Sequence, residues 1–225
     1  MRSHATPSIA AIPGVEWLST LYCYPERVDD RLLDTIARLP NVCKYLDLPM
    51  QHISQHILRD MNRTDTSAHI REVCKKFKQR GMCLRTTLMV GFPGETQKDF
   101  DELMDFVRET GFERMGAFMF SPEEGTMAEL MENQVPEEVK QARYDALMTL
   151  QHDISLSQNR RRVGTTCRVL VEKRRGGRYV GRSEFEAPET DGNIYFSAEE
   201  PCEIGSFVTV RITGARAYDL MGVRV

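Results

Sequence analysis

The sequence has no closely spaced cysteines. Its six cysteines are Cys23, Cys43, Cys74, Cys83, Cys167 and Cys202. Neither a CxxC pair nor a CxxxCxxC triplet occurs among them, and such short spacings are typical of zinc sites and iron–sulfur clusters. We therefore predict that most of these cysteines are reduced core residues and that the chain has no metal ligands of its own.

Long apolar runs are also missing. No stretch approaches the ~18 apolar residues that span a bilayer, and residues 1–17 contain no continuous apolar segment of the kind found in secretory signals. With 41% hydrophobic and 28% charged residues, the composition is that of an ordinary globular protein. We predict a cytoplasmic protein without a membrane partner.

The first two-thirds of the chain alternates β-type runs with helical patterns. The predicted strands are Trp17–Tyr22, Val42–Leu48, Leu84–Val90 and Arg114–Phe120. Repeated βα units with short turns predict a parallel sheet with helices outside it. Because four strands are about half of an eight-stranded barrel, we predict an incomplete α/β barrel. Its two open sheet edges lead us to expect either a missing upstream half or self-association.

Local signals mark the ends of two predicted helices. Thr96 and Asp99 have the spacing of a capping box, and the helix that they begin should end at Gly111. Pro136 is well placed to begin a long amphipathic helix, which we interpret as a connector. Its apolar face is predicted to consist of Val139, Ala142, Leu147, Leu150 and Ile154.

Beyond the connector the pattern changes to short strands with glycine-rich turns. These strands are predicted at Thr166–Glu172, Arg178–Arg182, Asn193–Ser197 and Phe207–Thr213. Several short strands in so few residues predict a small closed β-barrel. We therefore divide the chain into two domains, 1–160 and 161–225.

The second domain begins with a strongly basic stretch. Residues 160–182 contain nine Arg or Lys against one acid, Glu172, and an acidic stretch follows. The two stretches offset each other, so the net charge of −3 identifies no partner class. A basic barrel face is suited to phosphate contacts with RNA, whereas the acidic stretch is equally suited to a basic protein partner.

Polar groups follow most of the predicted parallel strands, where reactive groups gather in such folds. The segments concerned are Tyr22–Pro25, Pro49–His52, Gly91–Glu95 and Ser121–Gly125. Gln51 and His52 fit ligand contact and loop shaping equally well. For Glu95, complementing the start of a helix is the simpler interpretation. Arg85 lies inside an apolar strand, so it must either pair with an acid or reach the barrel mouth.

Five segments together resemble the radical S-adenosylmethionine (SAM) methylthiotransferases. They are LYCYPERV (Leu21–Val28), YLDLPMQHIS (Tyr45–Ser54), LRTTLMVGFPGET (Leu84–Thr96), FMFSPEEGT (Phe118–Thr126) and YDLMGVRV (Tyr218–Val225). Within this family, the Gln51-His52 pair and the YDL-x-G ending resemble the RimO type, which modifies a ribosomal protein. The tRNA-modifying relatives usually have Gln-Ser-Gly in place of that pair.

The resemblance implies a fold, a reaction and cofactors. The fold is a partial radical-SAM (β/α) barrel followed by a TRAM domain, a small OB-like β-barrel that helps engage the substrate. The reaction adds a methylthio group to an aspartate of a small-subunit ribosomal protein, using SAM and [4Fe-4S] clusters. The residues implied to line the SAM pocket are Gln51, His52, Arg85, Gly91, Glu95, Phe120 and Ser121, with Arg85 pairing with the SAM carboxylate.

The sequence departs from the family at the cluster ligands. The CxxxCxxC motif and the N-terminal domain that carries the cysteines of the second cluster are not among these 225 residues. We therefore expect a C-terminal fragment that is inactive alone and needs its N-terminal half. Two alternatives stay open: a noncatalytic TRAM-type module that binds ribosomal protein or RNA, and a fragment of a tRNA methylthiotransferase.

Overall fold

A computed structural model describes residues 5–225, which form a four-stranded sheet and a five-stranded barrel joined by one helix. The helices are α1 (Ala5–Ala10), α2 (Asp30–Arg38), α3 (Gln55–Asp60), α4 (Ser67–Gln79), α5 (Gln97–Thr110) and α6 (Glu137–Arg161), with a 3-10 turn at Pro25–Arg27. The strands are β1 (Leu18–Thr20), β2 (Val42–Asp47), β3 (Cys83–Val90), β4 (Arg114–Met119), β5 (Thr166–Arg175), β6 (Arg178–Arg182), β7 (Ile194–Ser197), β8 (Phe207–Ala215) and β9 (Leu220–Arg224). None of the helices within this range is long and apolar enough to cross a membrane.

The first sheet confirms the predicted half barrel. Its strands are parallel and lie in the order β1-β2-β3-β4. Because strand side chains alternate between faces, Leu84 and Leu88 of β3 pack into the main core with the helices. Arg85, Thr87 and Met89 lie on the opposite side, which we call the inner face. The helical and inner faces are therefore chemically different along β3.

The local signals around α5 are confirmed. Thr96 Oγ1 accepts a hydrogen bond from the Asp99 backbone N–H, and the Asp99 carboxylate accepts one from the Thr96 N–H. Gly111 ends the helix in the left-handed region at φ 59°, which a residue without Cβ adopts at little cost. Both ends of α5 therefore follow from short sequence patterns.

The small barrel is closed, as predicted, but it has one strand more than the sequence pattern indicated. The order is β5-β6-β7-β9-β8, and β9 pairs in parallel with β7 and antiparallel with β8. The turn that joins β8 to β9, residues 216–219, contains neither glycine nor proline and therefore gives no strong hairpin signal. Gly222 within β9 also lowers strand propensity. The close packing of the barrel nevertheless favours a glycine at this position, because a Cβ would lie 2.7 Å from the Arg211 carbonyl oxygen.

Helix α6 is confirmed, but its predicted apolar face is partly wrong. Leu147 is buried, whereas Ala142 is exposed. The buried stripe of the helix is mostly polar and consists of Lys140, Arg143, Leu147, Gln151, Ser155 and Asn159. The reason is that this stripe faces backbone carbonyls at the ends of the sheet, and buried carbonyls require donors. The apolar spacing alone could not reveal this requirement.

The polar stripe fastens α6 to both ends of the sheet and to the small barrel. Lys140 Nζ donates to the Phe120 carbonyl at 3.0 Å, and Gln151 Nε2 donates to the Phe112 carbonyl at 3.0 Å. At the other end of the helix, Asn159 Nδ2 donates to the carbonyls of Arg216 and Ala217 at 3.0 Å each. One helix therefore sets the relative position of the two domains.

A buried carboxylate lies where the domains meet. Glu186 accepts hydrogen bonds from Arg114 Nη2 at 2.9 Å, from Arg162 Nη1 and from the Ser183 hydroxyl at 2.6 Å. Its side chain is 1% exposed. Although burial disfavours its charge, the Arg162 and Arg114 guanidinium groups hold the pKa of Glu186 below its ordinary value.

Replacing this carboxylate tests its contribution to stability. The substitution Glu186→Gln leaves two guanidinium groups without their counter-ion, so we expect the free energy of unfolding in urea to fall by about 3–5 kcal/mol. Glu172→Gln is the matched control, because Glu172 pairs with Arg182 at the surface of the same barrel and should cost less than about 1 kcal/mol. Equal losses would contradict this assignment.

The same carboxylate predicts a pH dependence. Because the folded-state pKa of Glu186 is lowered, its contribution is present above the unfolded carboxyl pKa of about 4.3 and is lost as pH falls through the folded pKa. Chemical denaturation of the wild type from pH 7 to pH 3 should show this acid loss. In Glu186→Gln the loss should be smaller, and an unchanged acid limb would contradict the expectation.

Candidate functional site

Gln51 is held in an uncommon backbone conformation in the loop after β2, four residues beyond Asp47. Its φ is +68°, a region that non-glycine residues seldom adopt. Two hydrogen bonds to β3 fix it there, because the Gln51 N–H donates to the Thr87 carbonyl and the Met89 N–H donates to the Gln51 carbonyl, at 2.9 and 2.7 Å. Strand β3 thus determines where the Gln51 side chain lies.

A cleft of about 580 Å³ opens at the carboxyl ends of β3 and β4. Its walls are mainly thioether and aromatic, with a few polar groups at the rim. The residues that line it include Gln51, Met61, Met89, Phe92, Phe118, Met127 and Met131. Gln51 Oε1 is buried and has no hydrogen-bond partner in the described part of the chain. A flat, largely apolar ligand with one N–H donor would suit this cleft, because a buried acceptor without a partner is unfavourable.

His52, the neighbour of Gln51, is fully buried. Its Nδ1 accepts a hydrogen bond from the Ser54 N–H at 2.9 Å, which places the proton of the neutral ring on Nε2. Nε2 has no partner within residues 5–225. Burial lowers the pKa of His52 to about 4, so the ring is neutral at pH 7. In this structure His52 shapes the loop that carries Gln51.

Glu95 closes the turn after β3. Its carboxylate accepts a hydrogen bond from the Gly91 N–H and pairs with Arg143 Nη1 of α6 at 3.1 Å. The side chain is 0% exposed, and burial raises the pKa of Glu95 above its ordinary value although Arg143 opposes the shift. These contacts fit the structural interpretation of Glu95 better than direct ligand contact.

Gly91 permits α6 to approach this turn. Its φ is +75°, and a Cβ at this position would lie 2.3 Å from Lys140 Cγ. Phe120, at the end of β4, is 7% exposed and packs edge-to-face on Phe92 with ring centroids 5.2 Å apart. Ser121, the next residue, is exposed. The structure thus brings Gln51, Phe92 and Phe120 to one end of the sheet.

Arg85 lies lower on the inner face, away from the strand ends. It pairs with Asp47 of β2 at 3.0 Å and with Asp191 of the small barrel at 3.4 Å. This confirms the prediction that a cation within this apolar strand pairs with an acid. It lines a separate cavity of about 330 Å³ that also includes Gly116 and Asn193. Its predicted contact with the SAM carboxylate stays a prediction.

Of the residues that line the cleft, the resemblance implied only Gln51 as a SAM contact. Met89 and Phe118 lie within two of the motifs but are not among the residues implied to line the SAM pocket. The two are register partners on neighbouring strands. Met89 is four positions from Arg85 on β3, and side chains at even spacing in a strand share a face, so the sequence could have placed both on the inner face. By contrast, Met50 and Met115 are core residues.

The cysteines do not form a cluster site. Cys23, Cys43, Cys74 and Cys83 are buried, and all six cysteines are free. Within residues 5–225, no group of three His, Cys, Asp or Glu side chains is arranged to hold a metal ion. The donor set present in the described chain therefore does not fit a [4Fe-4S] cluster.

Comparison with known proteins identifies both parts of the chain. Residues 12–107 match the model of the Radical SAM superfamily, and residues 163–225 match that of the TRAM domain. The ribosomal protein uS12 methylthiotransferase RimO of Desulforamulus reducens is 47% identical over 219 residues, which is 95% of this chain and 49% of that protein. RimO of Desulfitobacterium hafniense is 47% identical over 217 residues, again 95% and 49%.

The chain spans about half the length of these curated relatives. Among solved structures, the coproporphyrinogen III oxidase HemN of Escherichia coli, a radical SAM enzyme, superposes with a TM-score of 0.57 at 13% identity. The match covers 82% of this chain and 52% of HemN. At this identity the similarity shows the fold alone.

The packing of Gly91 against α6 can be tested by two matched substitutions. Gly91 and Gly94 both have positive φ, but a Cβ on Gly94 meets no atom within 4 Å. Both alanine variants should lose about 1–2 kcal/mol from backbone strain, and Gly91→Ala should lose a further ~1–3 kcal/mol from overlap with Lys140. Urea denaturation measures both, and equal losses would contradict the close contact.

Proposed function

Because the chain belongs to the RimO-type methylthiotransferases of the radical SAM superfamily, we propose that it binds SAM and takes part in methylthiolation of ribosomal protein uS12. The modified group would be an aspartate of that protein. The observation that carries this proposal is the 43–47% identity to relatives of this name across nearly the whole chain. The same names favour the ribosomal-protein substrate over tRNA.

The cleft at the strand ends is the proposed site for the nucleoside part of SAM. Phe92, Phe118 and Met89 provide flat and polarizable surfaces for an adenine ring. Gln51 Oε1 would accept a hydrogen bond from the ring amino group, which satisfies its buried oxygen. Bound SAM supplies the radical that starts the chemistry in this family. The chain's own residues bind the cofactor, orient it and exclude water.

Supporting residues would keep this cleft in shape. His52 fixes the loop of Gln51, while Glu95 and Gly91 anchor the turn that carries Phe92 to α6. These residues act through backbone geometry, so their role is positioning. Arg85 is already paired with Asp47 and Asp191, which supports a role at the domain interface.

The proposed reaction needs cluster ligands that residues 1–225 do not supply. The sequence contains no CxxxCxxC triplet, and the described cysteines do not converge. We propose that this chain provides the cofactor-binding and substrate-docking part of the enzyme and is inactive without a cluster-bearing part. Its own contribution is therefore measured by binding.

Binding of SAM by the 225-residue chain can be tested with Gln51→Met. This substitution keeps the side-chain length but removes the acceptor, and we expect the dissociation constant for radiolabelled SAM to rise about tenfold in equilibrium dialysis. Gln97→Met is the matched control, because Gln97 lies exposed at the start of α5, and its affinity should stay unchanged. Failure of the wild type to bind, or equal binding by both variants, would contradict the proposed site.

RNA binding by the small barrel is a second candidate function. The tip of the β5–β6 hairpin presents Lys173, Arg174, Arg175 and Arg178, all exposed. Arg174 stacks over Tyr179, which is otherwise buried in the barrel core. With few exposed aromatics nearby for base stacking, phosphate contact is the chemistry that this turn favours.

A charge reversal tests this surface. The double substitution Lys173→Glu with Arg175→Glu should weaken binding of a 16S ribosomal RNA fragment and lower the slope of log K against log salt by about 2. Lys75→Glu with Lys98→Glu is the control, because these lysines lie on α4 and α5. If only ribosomal protein uS12 binds, and RNA does not, the barrel docks the protein substrate and the RNA proposal is wrong.

A further inference from the structure

A loop of the small barrel covers part of the inner face of the half barrel. Phe185 and Ala187 pack on Cys43, Tyr45 and Cys83, which are 2–4% exposed. Tyr45 and Cys83 are register partners at the beginning of β3, so the loop covers the amino-terminal end of the sheet. The proposed cofactor cleft lies at the opposite end.

The loop also completes the hydrogen bonding of β2. The pairing of β1 with β2 shifts register between Leu18 and Thr20, and the Lys44 backbone N–H donates instead to the Glu184 carboxylate of the loop at 3.0 Å. A backbone group of one domain is thus satisfied by a side chain of the other. Such a contact is specific in a way that apolar packing is not.

A charged cluster fixes the far end of this loop. Asp191 accepts hydrogen bonds from the Tyr45 hydroxyl and from the Ala187 N–H, both at 2.8 Å. Arg85 Nε lies 3.4 Å from Asp191, and its Nη1 lies 3.0 Å from Asp47. The side chains of Asp191 and Asp47 are 5% and 3% exposed. Arg85 therefore bridges β2 and the loop.

This arrangement favours one of two roles for Arg85. A ligand carboxylate that approached Arg85 would meet two buried carboxylates beside it, which repel an anion. The guanidinium instead compensates Asp47 and Asp191, whose burial without a cation would be costly. Its planar fork reaches both acids at once, which a lysine could not do.

We propose that residues 183–193 form a fixed floor beneath the inner face of the half barrel, at the amino-terminal ends of its strands. Arg85 is the positioning residue that holds this floor in place. The cavity is then closed at the amino-terminal ends of the strands, and a ligand or substrate segment enters from the carboxyl ends. The small barrel accordingly has a structural role in the site in addition to any docking role. This inference rests on geometry and does not require that the cleft bind SAM.

The native cysteines report directly on this floor. Cys43 and Cys83 lie beneath the loop, whereas Cys74 lies in the core on the helical face. We would label the 225-residue chain with N-ethylmaleimide at one pH and map each cysteine by peptide mass spectrometry. In Asp191→Ala, labelling of Cys43 and Cys83 should be about tenfold or more faster than in the wild type, with Cys74 unchanged.

Three further variants serve as controls for the labelling of the cysteines. Asp153→Ala, which removes an exposed acid of α6, should leave all labelling rates unchanged. Arg85→Lys should accelerate Cys43 and Cys83 labelling less than Arg85→Met does, because it keeps the charge but loses the fork. If labelling of Cys74 in Asp191→Ala becomes faster by the same factor, or if labelling of Cys43 and Cys83 does not become faster, the proposed floor is wrong.

A second readout separates positioning from ligand contact. If Arg85 acts only on the floor, Arg85→Lys should bind SAM within about twofold of the wild type in the dialysis experiment. A loss of about tenfold or more with unchanged cysteine labelling would overturn the positioning role. Absence of SAM binding in every variant would count against the proposed function and leave the labelling test intact.

Discussion

The polar stripe of α6 is the constraint on which both domains depend. Buried Lys140, Arg143, Gln151 and Asn159 each carry donors that must find acceptors. They find them in the carbonyls of Phe120, Glu95 and Phe112 and in the 216–217 turn of the small barrel. Because each of these four side chains donates to a fixed partner, the helix cannot slide or rotate without losing several buried hydrogen bonds at once. The strand-end loops and the small barrel are therefore held in one frame.

The polar groups at the two ends of the inner face differ in whether they have hydrogen-bond or ion-pair partners. At the amino-terminal end, Arg85, Asp47 and Asp191 compensate one another beneath the small barrel. At the carboxyl end, Gln51 keeps a buried oxygen without a partner beside apolar and aromatic walls. Buried polar atoms are normally paired. The unpaired acceptor supports the proposed ligand cleft at the carboxyl end, and the compensated cluster supports the proposed floor at the amino-terminal end.

Much of the fold followed from local sequence patterns. The capping box at Thr96 and the glycine stop at Gly111 lie within one helix, and strand alternation needs only neighbouring residues. Strand β9 was missed because the turn that joins it to its antiparallel neighbour β8, residues 216–219, contains neither glycine nor proline. The face of α6 was predicted as apolar because spacing does not reveal that strand-end carbonyls need donors. Gln51 was found by its place after a strand, whereas Met89 required the register with β4.

By itself, the sequence determined the half barrel, the closed small barrel, the connector helix and the family to which the chain belongs. It could do so because these depend on periodicity, turn residues and motifs that are local in the chain. Only the tertiary structure decided which polar residues are paired and which are free. Arg85 meets Asp191, and Glu186 meets Arg114, across more than seventy positions, and such contacts are set by how the domains pack. Local patterns contain no information on that packing.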